Sequence, residues 1–276
     1  MDVVPEGHTI VRLAREHDEL FRGTQIFVDS PQGKFAAGAE MLSGGRVVGV
    51  QAIGKHSLHR VRRTEGAPPA RDLYLHVHLG LYGKWASGQL PLPEVVGQVR
   101  LRIWNTTHYA QLRGATVTEV LDAAQVKALK LRLGEDPLKS KLSGTTAFEK
   151  VSHSGKPVGL LLMDQAVMAG VGNVYRAEIL FLHKIDPHRP GSLVTEEQWQ
   201  LLWADLMKRM RAGVRLGRIV TTAPKDRERR TGPASKEDAH YVYRRHELPC
   251  RVCGTTIRME EFGGRRLYWC PTCQAV

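Results

Sequence analysis

The sequence predicts an α+β fold, in which an N-terminal β-sandwich or barrel with flanking helices precedes a helical segment and a small β-hairpin. Three observations predict this fold. Short β-rich runs, separated by Gly, Pro and charged turns, occupy residues 25–119. Helical periodicity dominates residues 146–212. All four cysteines fall in the last 27 residues, so we expect three parts, residues 1–133, 134–240 and 241–276.

The composition is that of a folded, basic protein. Forty Lys and Arg residues stand against 28 Asp and Glu, which gives a formal net charge of +12. Such an excess favours a polyanionic partner, either a nucleic acid or an acidic lipid surface, because cationic side chains displace counterions from phosphates. No apolar run approaches the ~20 residues that span a bilayer, and the N-terminus lacks a signal-peptide pattern. We therefore expect a cytoplasmic protein.

The N-terminal part begins with an amphipathic helix over residues 6–22, where Ile10, Ala14 and Phe21 recur at helical spacing. Strands are then predicted at 46–53, 57–61, 72–79, 98–104 and 108–112. A further helical pattern covers residues 121–133. Gly and Pro interrupt it at 134–138, which indicates a hinge before the second part.

The second part is helical in pattern. Helices are predicted at 146–152, 158–168, 174–183 and 195–212. Residues 224–238 are polar, charged and rich in turn formers, which predicts an exposed and mobile loop. No internal repeat is found in the sequence.

The cysteines have the spacing of a metal site. Two Cys-x2-Cys pairs are separated by sixteen residues and provide the candidate ligands Cys250, Cys253, Cys270 and Cys273. Four thiolates complete a tetrahedral zinc site and leave no position for water, which predicts one structural Zn²⁺. Gly263 and Gly264 lie between two β-rich runs, so the pairs are expected to flank a hairpin. Four unpaired thiols are the alternative.

Five motifs follow one another over nearly the whole chain. They are Pro5-Glu6-Gly7-His8-Thr9 followed by Lys55, His76-Val77-His78-Leu79-Gly80-Leu81-Tyr82-Gly83, Gly134-Glu135-Asp136-Pro137-Leu138, Ala169-Gly170-Val171-Gly172-Asn173 and the cysteine hairpin. In this order they resemble the formamidopyrimidine-DNA glycosylase and endonuclease VIII family. The resemblance implies a helix-two-turns-helix domain, a zinc finger and a bacterial, monomeric DNA glycosylase and abasic-site lyase of base excision repair. Its partner would be double-stranded DNA with oxidised bases or abasic sites.

The resemblance also implies catalytic roles. An exposed imino nitrogen of Pro5 would attack C1′ of the damaged nucleotide, and Glu6 would act as general acid or base at the sugar. Lys55 matches the family's hairpin lysine, which assists base loss and elimination; from its sequence context alone it would be an ordinary surface lysine. Arg265 matches a finger arginine that contacts the phosphate beside the lesion, and a solvated basic turn is the alternative. Glu178 corresponds to a family glutamate near the active site, although its spacing alone is compatible with a solvated position.

Four further residues match DNA contacts of the family. Leu81 and Tyr82 would form the wedge that fills the gap left by an extruded nucleotide. Alternation along the strand would place both in the core, whereas the glycines on either side favour a turn. Arg132 and Asn173 match phosphate-binding residues, and a helix cap is the competing role for Asn173.

The N-terminus departs from the family pattern. Met1-Asp2-Val3-Val4 precedes Pro5, and a proline nitrogen within a peptide bond is an amide that cannot attack a sugar. We hypothesise that translation starts at the Val4 codon and that removal of the initiator methionine exposes Pro5. If the extra residues persist, Lys55 would be the nucleophile, or the protein would bind damaged DNA without catalysis.

The motifs favour the endonuclease VIII-like branch. Pro-Glu-Gly at residues 5–7 and Leu-Tyr-Gly at 81–83 resemble that branch, so oxidised pyrimidines are the expected substrates. However, His78-Leu79-Gly80 resembles the other branch, which leaves a formamidopyrimidine or 8-oxoguanine glycosylase as the alternative. A zinc-ribbon adaptor for proteins is a hypothesis from another class, and it predicts no salt-dependent affinity for DNA.

Overall fold

A computed structural model describes residues 5–64, 66, 68–139 and 144–275. The hypothesis about translation from Val4 concerns residues outside this range. The chain divides into two compact units, residues 1–132 and 133–276. Within the described residues, no helix is both long and apolar enough to cross a membrane.

The N-terminal unit contains two antiparallel four-stranded sheets, which confirms the predicted β-sandwich class. The first sheet has the strand order β1-β6-β7-β5 and the second β2-β3-β4-β8. The strands are β1 (Phe27–Asp29), β2 (Arg46–Ile53), β3 (His56–Arg62), β4 (Leu73–His78), β5 (Lys84–Gln89), β6 (Leu101–Trp104), β7 (His108–Arg113) and β8 (Val117–Leu121). Strands β1, β5 and β8 were not among the predicted strands. The polar sequence of β5 has no β-branched run, and this strand forms through its pairing with β7.

The described residues of this unit form three α-helices: α1 (Gly7–Phe21), α2 (Ala36–Leu42) and α3 (Ala123–Arg132). The α1 side chains at the predicted apolar positions Ile10, Ala14 and Phe21 are buried. They join a core to which the sheets contribute apolar side chains such as Leu75 and Leu101. Burial of a side chain the size of Ile10 or Phe21 contributes roughly 1.5–3 kcal/mol. The apolar face of α1 therefore fixes this helix against the sheets.

A buried histidine pair lies in the same unit. His17 on α1 and His59 on β3 share a hydrogen bond of 2.8 Å between Nδ1 and Nε2, and the Trp85 ring packs edge-on against His17. Burial, followed by the proximity of His59, lowers the pKa of His17 well below 6.5. Burial likewise lowers the pKa of His59 to about 4. Both rings are therefore neutral at physiological pH.

We expect this pair to make the N-terminal unit acid-labile. An unfolded histidine binds a proton near pH 6.5, but the folded His59 does so only near pH 4. Protonation therefore favours the unfolded chain, and stability should fall as the pH decreases from 6.5 towards 4. The full loss for His59 is about 3 kcal/mol, at 1.36 kcal/mol for each pKa unit. Urea unfolding measured across this pH range tests the expectation.

The control for this measurement is His153→Gln, which alters an exposed histidine and should leave the pH slope of the unfolding free energy unchanged. His59→Gln should reduce that slope. The argument would be contradicted if the unfolding free energy of the wild-type protein stayed constant from pH 7 down to about pH 4, the pKa of His59 in the folded protein.

The C-terminal unit is helical and ends in a hairpin, again as predicted. Its elements are α4 (Thr145–Ser152), α5 (Val158–Leu161), α6 (Asn173–Leu182), α7 (Glu196–Leu216), β9 (Arg258–Glu261) and β10 (Arg266–Trp269). Helix α7 begins with a capping box between Thr195 and Gln198 and ends at Gly217, whose φ of 69° suits glycine.

Helix α5 is shorter than the predicted 158–168. The Asp164 side chain accepts a hydrogen bond from the Ala166 amide, a local bond that competes with helix continuation. Residues 165–169 pair instead with the predicted hinge segment, where Gly134 N–H donates to Gln165 O and Ala169 N–H donates to Glu135 O. A side chain at position 134 would collide with the Val167 carbonyl. The segment is therefore bonded into the C-terminal unit.

Candidate functional site

Pro5 and Glu6 lie at the start of α1. Glu6 is the N-cap residue in an extended conformation, and its carbonyl accepts the Thr9 amide at 2.9 Å. Only 1% of Glu6 is exposed, and Pro5 is half-buried. Because α1 is anchored by its apolar face, the first helical turn holds this carboxyl side chain in a fixed and largely water-free position, where a general acid or base can be tuned.

Lys55 lies in the tight turn between β2 and β3. Ile53 pairs with His56 across the hairpin, so Gly54 and Lys55 form a two-residue loop, and Gly54 has a φ of 56°. The His78 ring Nδ1 lies 3.1 Å from the Lys55 carbonyl oxygen, and that oxygen can only accept. The turn that carries Lys55 is therefore held from the neighbouring strand β4.

A histidine cluster that was not predicted from the sequence lies beside this turn. The His56 Nδ1 and His76 Nε2 atoms are 2.8 Å apart, and His76 Nδ1 lies 2.8 Å from Glu119 Oε1. The rings of His56 and His78 are tilted against one another with centroids 4.9 Å apart. The available signal was the alternation of His76 and His78 on one face of a predicted strand, but their partners on β3 and β8 depend on strand register.

The histidine cluster lies close to positively charged side chains. Burial, followed by charges that include those of Arg132 and Lys55, lowers the pKa of His56 to about 3. Burial is also the main reason that the pKa of His78 is lowered. Arg132 is the exposed last residue of α3. The structure thus brings Lys55, Arg132 and neutral imidazoles into one region of the N-terminal unit.

Leu81 and Tyr82 occupy the β4–β5 turn, and the alternative core position is wrong. Their exposed fractions are 49% and 80%. Gly80 has a φ of 67°, and a side chain at Gly83 would lie 2.3 Å from the Leu79 carbonyl oxygen. These two glycines permit a turn too tight for other residues, and that turn presents the two apolar side chains to solvent.

In the C-terminal unit, Asn173 is the first residue of α6. Gly172 is the N-cap residue, so the alternative role of Asn173 as the helix cap is wrong. Its Nδ2 donates to the Arg266 carbonyl on β10 at 2.8 Å, and its Oδ1 accepts from Arg176. Since an amide NH₂ has two donor hydrogens, one remains for a phosphate. Asn173 thereby joins the N-terminus of α6 to the hairpin.

Glu178 is buried, which excludes a solvated position. Its exposed fraction is 0%, and its carboxylate accepts the backbone amides of Tyr241, Val242 and Tyr243 at 2.8–2.9 Å. The Thr221 hydroxyl also donates to it. Such bonds compensate the cost of burying a carboxylate. Glu178 therefore anchors both ends of the long segment that follows α7.

The predicted loop 224–238 within that segment is tied down by side chains. Asp238 accepts the backbone amides of Glu228 and Arg229 at 3.1 and 3.2 Å and pairs with Arg251 at 3.0 Å. The Tyr241 hydroxyl donates to Asp226 at 2.7 Å. These bonds give the polar loop a defined conformation.

The four cysteines meet at the base of the β9–β10 hairpin, with all four sulfur atoms within 4.8 Å of one another. Tetrahedral zinc with Zn–S bonds of ~2.3 Å requires S···S separations of about 3.8 Å. The Cys250–Cys273 and Cys253–Cys270 sulfurs are 3.9 and 3.5 Å apart. The Cys273 amide lies 3.4 Å from Cys270 Sγ, as in a metal-binding knuckle. The site therefore fits one structural zinc ion.

Arg265 is exposed at the tip of this hairpin, in the four-residue loop between the paired Glu261 and Arg266. Its carbonyl accepts the Phe262 amide at 2.8 Å. The loop conformation therefore holds the backbone of Arg265 and leaves its guanidinium in solvent.

Comparisons with known proteins agree with this architecture. Residues 133–225 match the H2TH domain of formamidopyrimidine-DNA glycosylase, and residues 247–276 match the zinc finger found in FPG and IleRS. Endonuclease 8 1 of Mycobacterium bovis is 43% identical over 275 residues, which span 98% of this chain and 100% of that protein. A formamidopyrimidine-DNA glycosylase of Thermus thermophilus is 36% identical over 146 residues, 53% of this chain and 55% of that protein.

The fold also matches a solved structure. The Lactococcus lactis Fpg in complex with DNA containing an abasic site superposes with a TM-score of 0.79 at 22% identity, covering 98% of this chain and 100% of that chain. The identity and coverage of the Mycobacterium relative place the chain in a family of DNA repair enzymes. It belongs to the formamidopyrimidine-DNA glycosylase and endonuclease 8 family, whose members are DNA glycosylases and abasic-site lyases of base excision repair.

Proposed function

We propose that this protein removes oxidised pyrimidines from double-stranded DNA and then cleaves the strand by β,δ-elimination. The observation that carries the proposal is the segment immediately before α1, where the half-buried Pro5 precedes a carboxylic acid, Glu6, that is almost fully buried. A nucleophile beside a shielded general acid or base suits displacement at a sugar carbon. The 43% identity to a protein named endonuclease 8 supports the endonuclease VIII-like branch, for which the motifs favour oxidised pyrimidines.

The chemistry begins at the imino nitrogen of Pro5, once residue 5 is the N-terminus. Its lone pair forms a bond to C1′, the glycosidic bond breaks, and the base leaves with that electron pair and takes up a proton. The nitrogen then loses its proton and the C1′–O4′ bond breaks, with O4′ taking up a proton, which opens the sugar ring and gives an iminium. The iminium acidifies C2′–H, and loss of this proton expels the 3′-phosphate. A second elimination expels the 5′-phosphate, and water then releases the sugar fragment from Pro5.

We assign the remaining roles by position. Glu6 moves protons at the sugar, and Lys55 donates a proton during base loss and elimination. Arg265, exposed on the hairpin tip, binds the phosphate next to the lesion and assists the second elimination. In this proposal residues 1–133 carry the catalytic groups, residues 134–240 bind DNA, and residues 241–276 form the finger.

DNA binding uses the exposed turn and two phosphate contacts. Leu81 and Tyr82 enter the stack when the damaged nucleotide is extruded, which costs a few kcal/mol of unstacking. Arg132 pairs with a phosphate, and the remaining Nδ2 hydrogen of Asn173 donates to another at the positive end of α6. The large exposed fraction of Tyr82 in the free protein supports the wedge role.

A panel of duplex oligonucleotides tests the proposal with protein whose N-terminus is verified by intact mass. We expect strand cleavage at an abasic site and at thymine glycol, with slower cleavage at 8-oxoguanine. Glu6→Gln keeps the size of the side chain but removes its proton chemistry, so base release should fall on the order of 10²–10⁴-fold. Absence of cleavage at an abasic site would leave only a DNA-binding protein. Faster cleavage at 8-oxoguanine would favour the other branch of the family.

A further inference from the structure

The histidine cluster of the N-terminal unit forms a directed chain of hydrogen bonds. Glu119 on β8 is opposite His76 on β4, and His56 on β3 is opposite His78 on β4. Because side chains alternate between the two faces of a sheet, all four lie on one face. The bonds run from Glu119 Oε1 to His76 Nδ1 and from His76 Nε2 to His56 Nδ1, each at 2.8 Å.

The carboxylate at one end of this chain determines the tautomers of the rings. A carboxylate can only accept, so His76 donates through Nδ1. In a neutral ring the other nitrogen, Nε2, is then an acceptor, and His56 must donate to it through Nδ1. A neutral His56 is left with an unprotonated Nε2. Burial and the nearby positive charges, which lower the pKa of His56 to about 3, keep this ring neutral.

The chain ends next to Lys55. His56 directly follows Lys55, and the ring of His78 donates to the Lys55 carbonyl oxygen at 3.1 Å. The charge of Lys55 is among those that lower the pKa of both His56 and His78. A protonated imidazole here would repel the Lys55 ammonium, whereas an imidazole with a free lone pair does not. The hydrogen-bond chain therefore ends at the residue that follows Lys55, and the His56 ring lies 4.9 Å, between centroids, from the His78 ring that holds the Lys55 carbonyl.

We propose that Glu119, His76 and His56 form a positioning relay for Lys55, in which the half-exposed carboxylate holds the His56 ring as its Nδ1–H tautomer and so orders the turn that carries the lysine. The inference rests on the proposed function in one respect, since it takes Lys55 as a proton donor in the reaction. The tautomer itself is a property of the folded protein and does not depend on any activity.

The first test is spectroscopic. Long-range ¹H–¹⁵N correlation of the imidazole nitrogens at neutral pH should show His56 protonated at Nδ1 and unprotonated at Nε2. In Glu119→Leu the His56 signals should change towards a mixture of tautomers. The control Glu94→Leu removes an exposed carboxylate outside the strands and should leave the signals unchanged. A wild-type His56 protonated at Nε2 would overturn the relay, whatever the enzyme's activity.

The second test is a double-mutant cycle on single-turnover strand cleavage. Glu119→Leu should lower the rate roughly ten- to hundredfold, the size expected when a reacting group is misplaced by about 1 Å, while duplex affinity stays unchanged. Glu119→Gln, which retains an acceptor, should recover most of the rate. In a Lys55→Ala background, Glu119→Leu should have little further effect, because the two residues act through one step.

Additive losses in this cycle would overturn the relay, since Glu119 would then act independently of Lys55. A Lys55→Ala variant with wild-type rates would overturn it as well. In either case, borohydride trapping of the wild-type protein on abasic DNA would still report whether the proposed glycosylase and lyase function holds.

Discussion

Protein that begins at Pro5 is expected to become covalently attached to abasic-site DNA under borohydride, whereas protein that retains residues 1–4 is expected to remain unattached. The two forms differ in the state of one nitrogen. A terminal proline is a secondary amine with a nucleophilic lone pair, but a proline within a peptide bond is an amide whose lone pair is delocalised into the carbonyl. Trapping should differ on the order of 10³-fold or more, as when a nucleophile is removed.

Lys55 provides the control for this comparison. Lys55→Ala in the processed form should still be trapped, although with slower base release, because its proposed role is proton donation. If the unprocessed form is trapped and Lys55→Ala abolishes the product, Lys55 is the nucleophile and Pro5 is not. Since Pro5 is half-buried immediately before α1, processing changes its nitrogen without altering the described helix.

Loss of the zinc site is expected to have the second large effect. In Cys270→Ser the buried thiolate is replaced by a poorer ligand, so the protein should lose its zinc, and the hairpin should lose its fold. Apparent binding free energies of structural zinc are ~10–16 kcal/mol, whereas strands β9 and β10 have only four residues each and a two-stranded hairpin is marginal by itself. Arg265 and the Asn173–Arg266 hydrogen bond depend on that hairpin.

Zinc content measured by atomic spectroscopy should fall from one ion per chain to nearly none in Cys270→Ser, and DNA binding should weaken in parallel. Thr272→Ser is the matched control, because residue 272 lies between two ligands without supplying a thiolate. Wild-type affinity for DNA in a zinc-free Cys270→Ser protein would show that the finger is dispensable for binding.

The N-terminal unit contains two groups of histidines with different consequences. One is the cluster on β3, β4 and β8, and the other is the buried pair on α1 and β3. His17 and His59 are enclosed by the core and bonded to each other, so their chief consequence is lower stability in acid. His56 and His76 instead connect a half-exposed carboxylate to a turn with a candidate proton donor. Acid should therefore affect folding through both groups, because the pKa values of His56 and His78 are lowered as well, whereas substitution of Glu119 should affect catalysis through the second group.

Features encoded by local spacing could be predicted from the sequence. The Cys-x2-Cys pairs identified four sulfurs that the fold brings together, because each pair forms one knuckle whatever lies around it. The apolar spacing in α1 likewise predicted which of its side chains are buried. The glycines around Leu81 and Tyr82 predicted the turn that exposes these two residues. Helix α5 was predicted too long because its end depends on pairing with residues distant in sequence, at 134–135.

The sequence by itself determined the helical, β-rich and cysteine-rich segments and the order of the family motifs. Only the tertiary structure decided that Glu178 is buried beneath three backbone amides and that Asn173 bonds to the hairpin instead of capping its helix. The register in which β4 pairs with β8 places Glu119 opposite His76. Periodicity specifies which face of an element a residue occupies, but a hydrogen-bond partner remote in sequence is specified only when the packed elements meet.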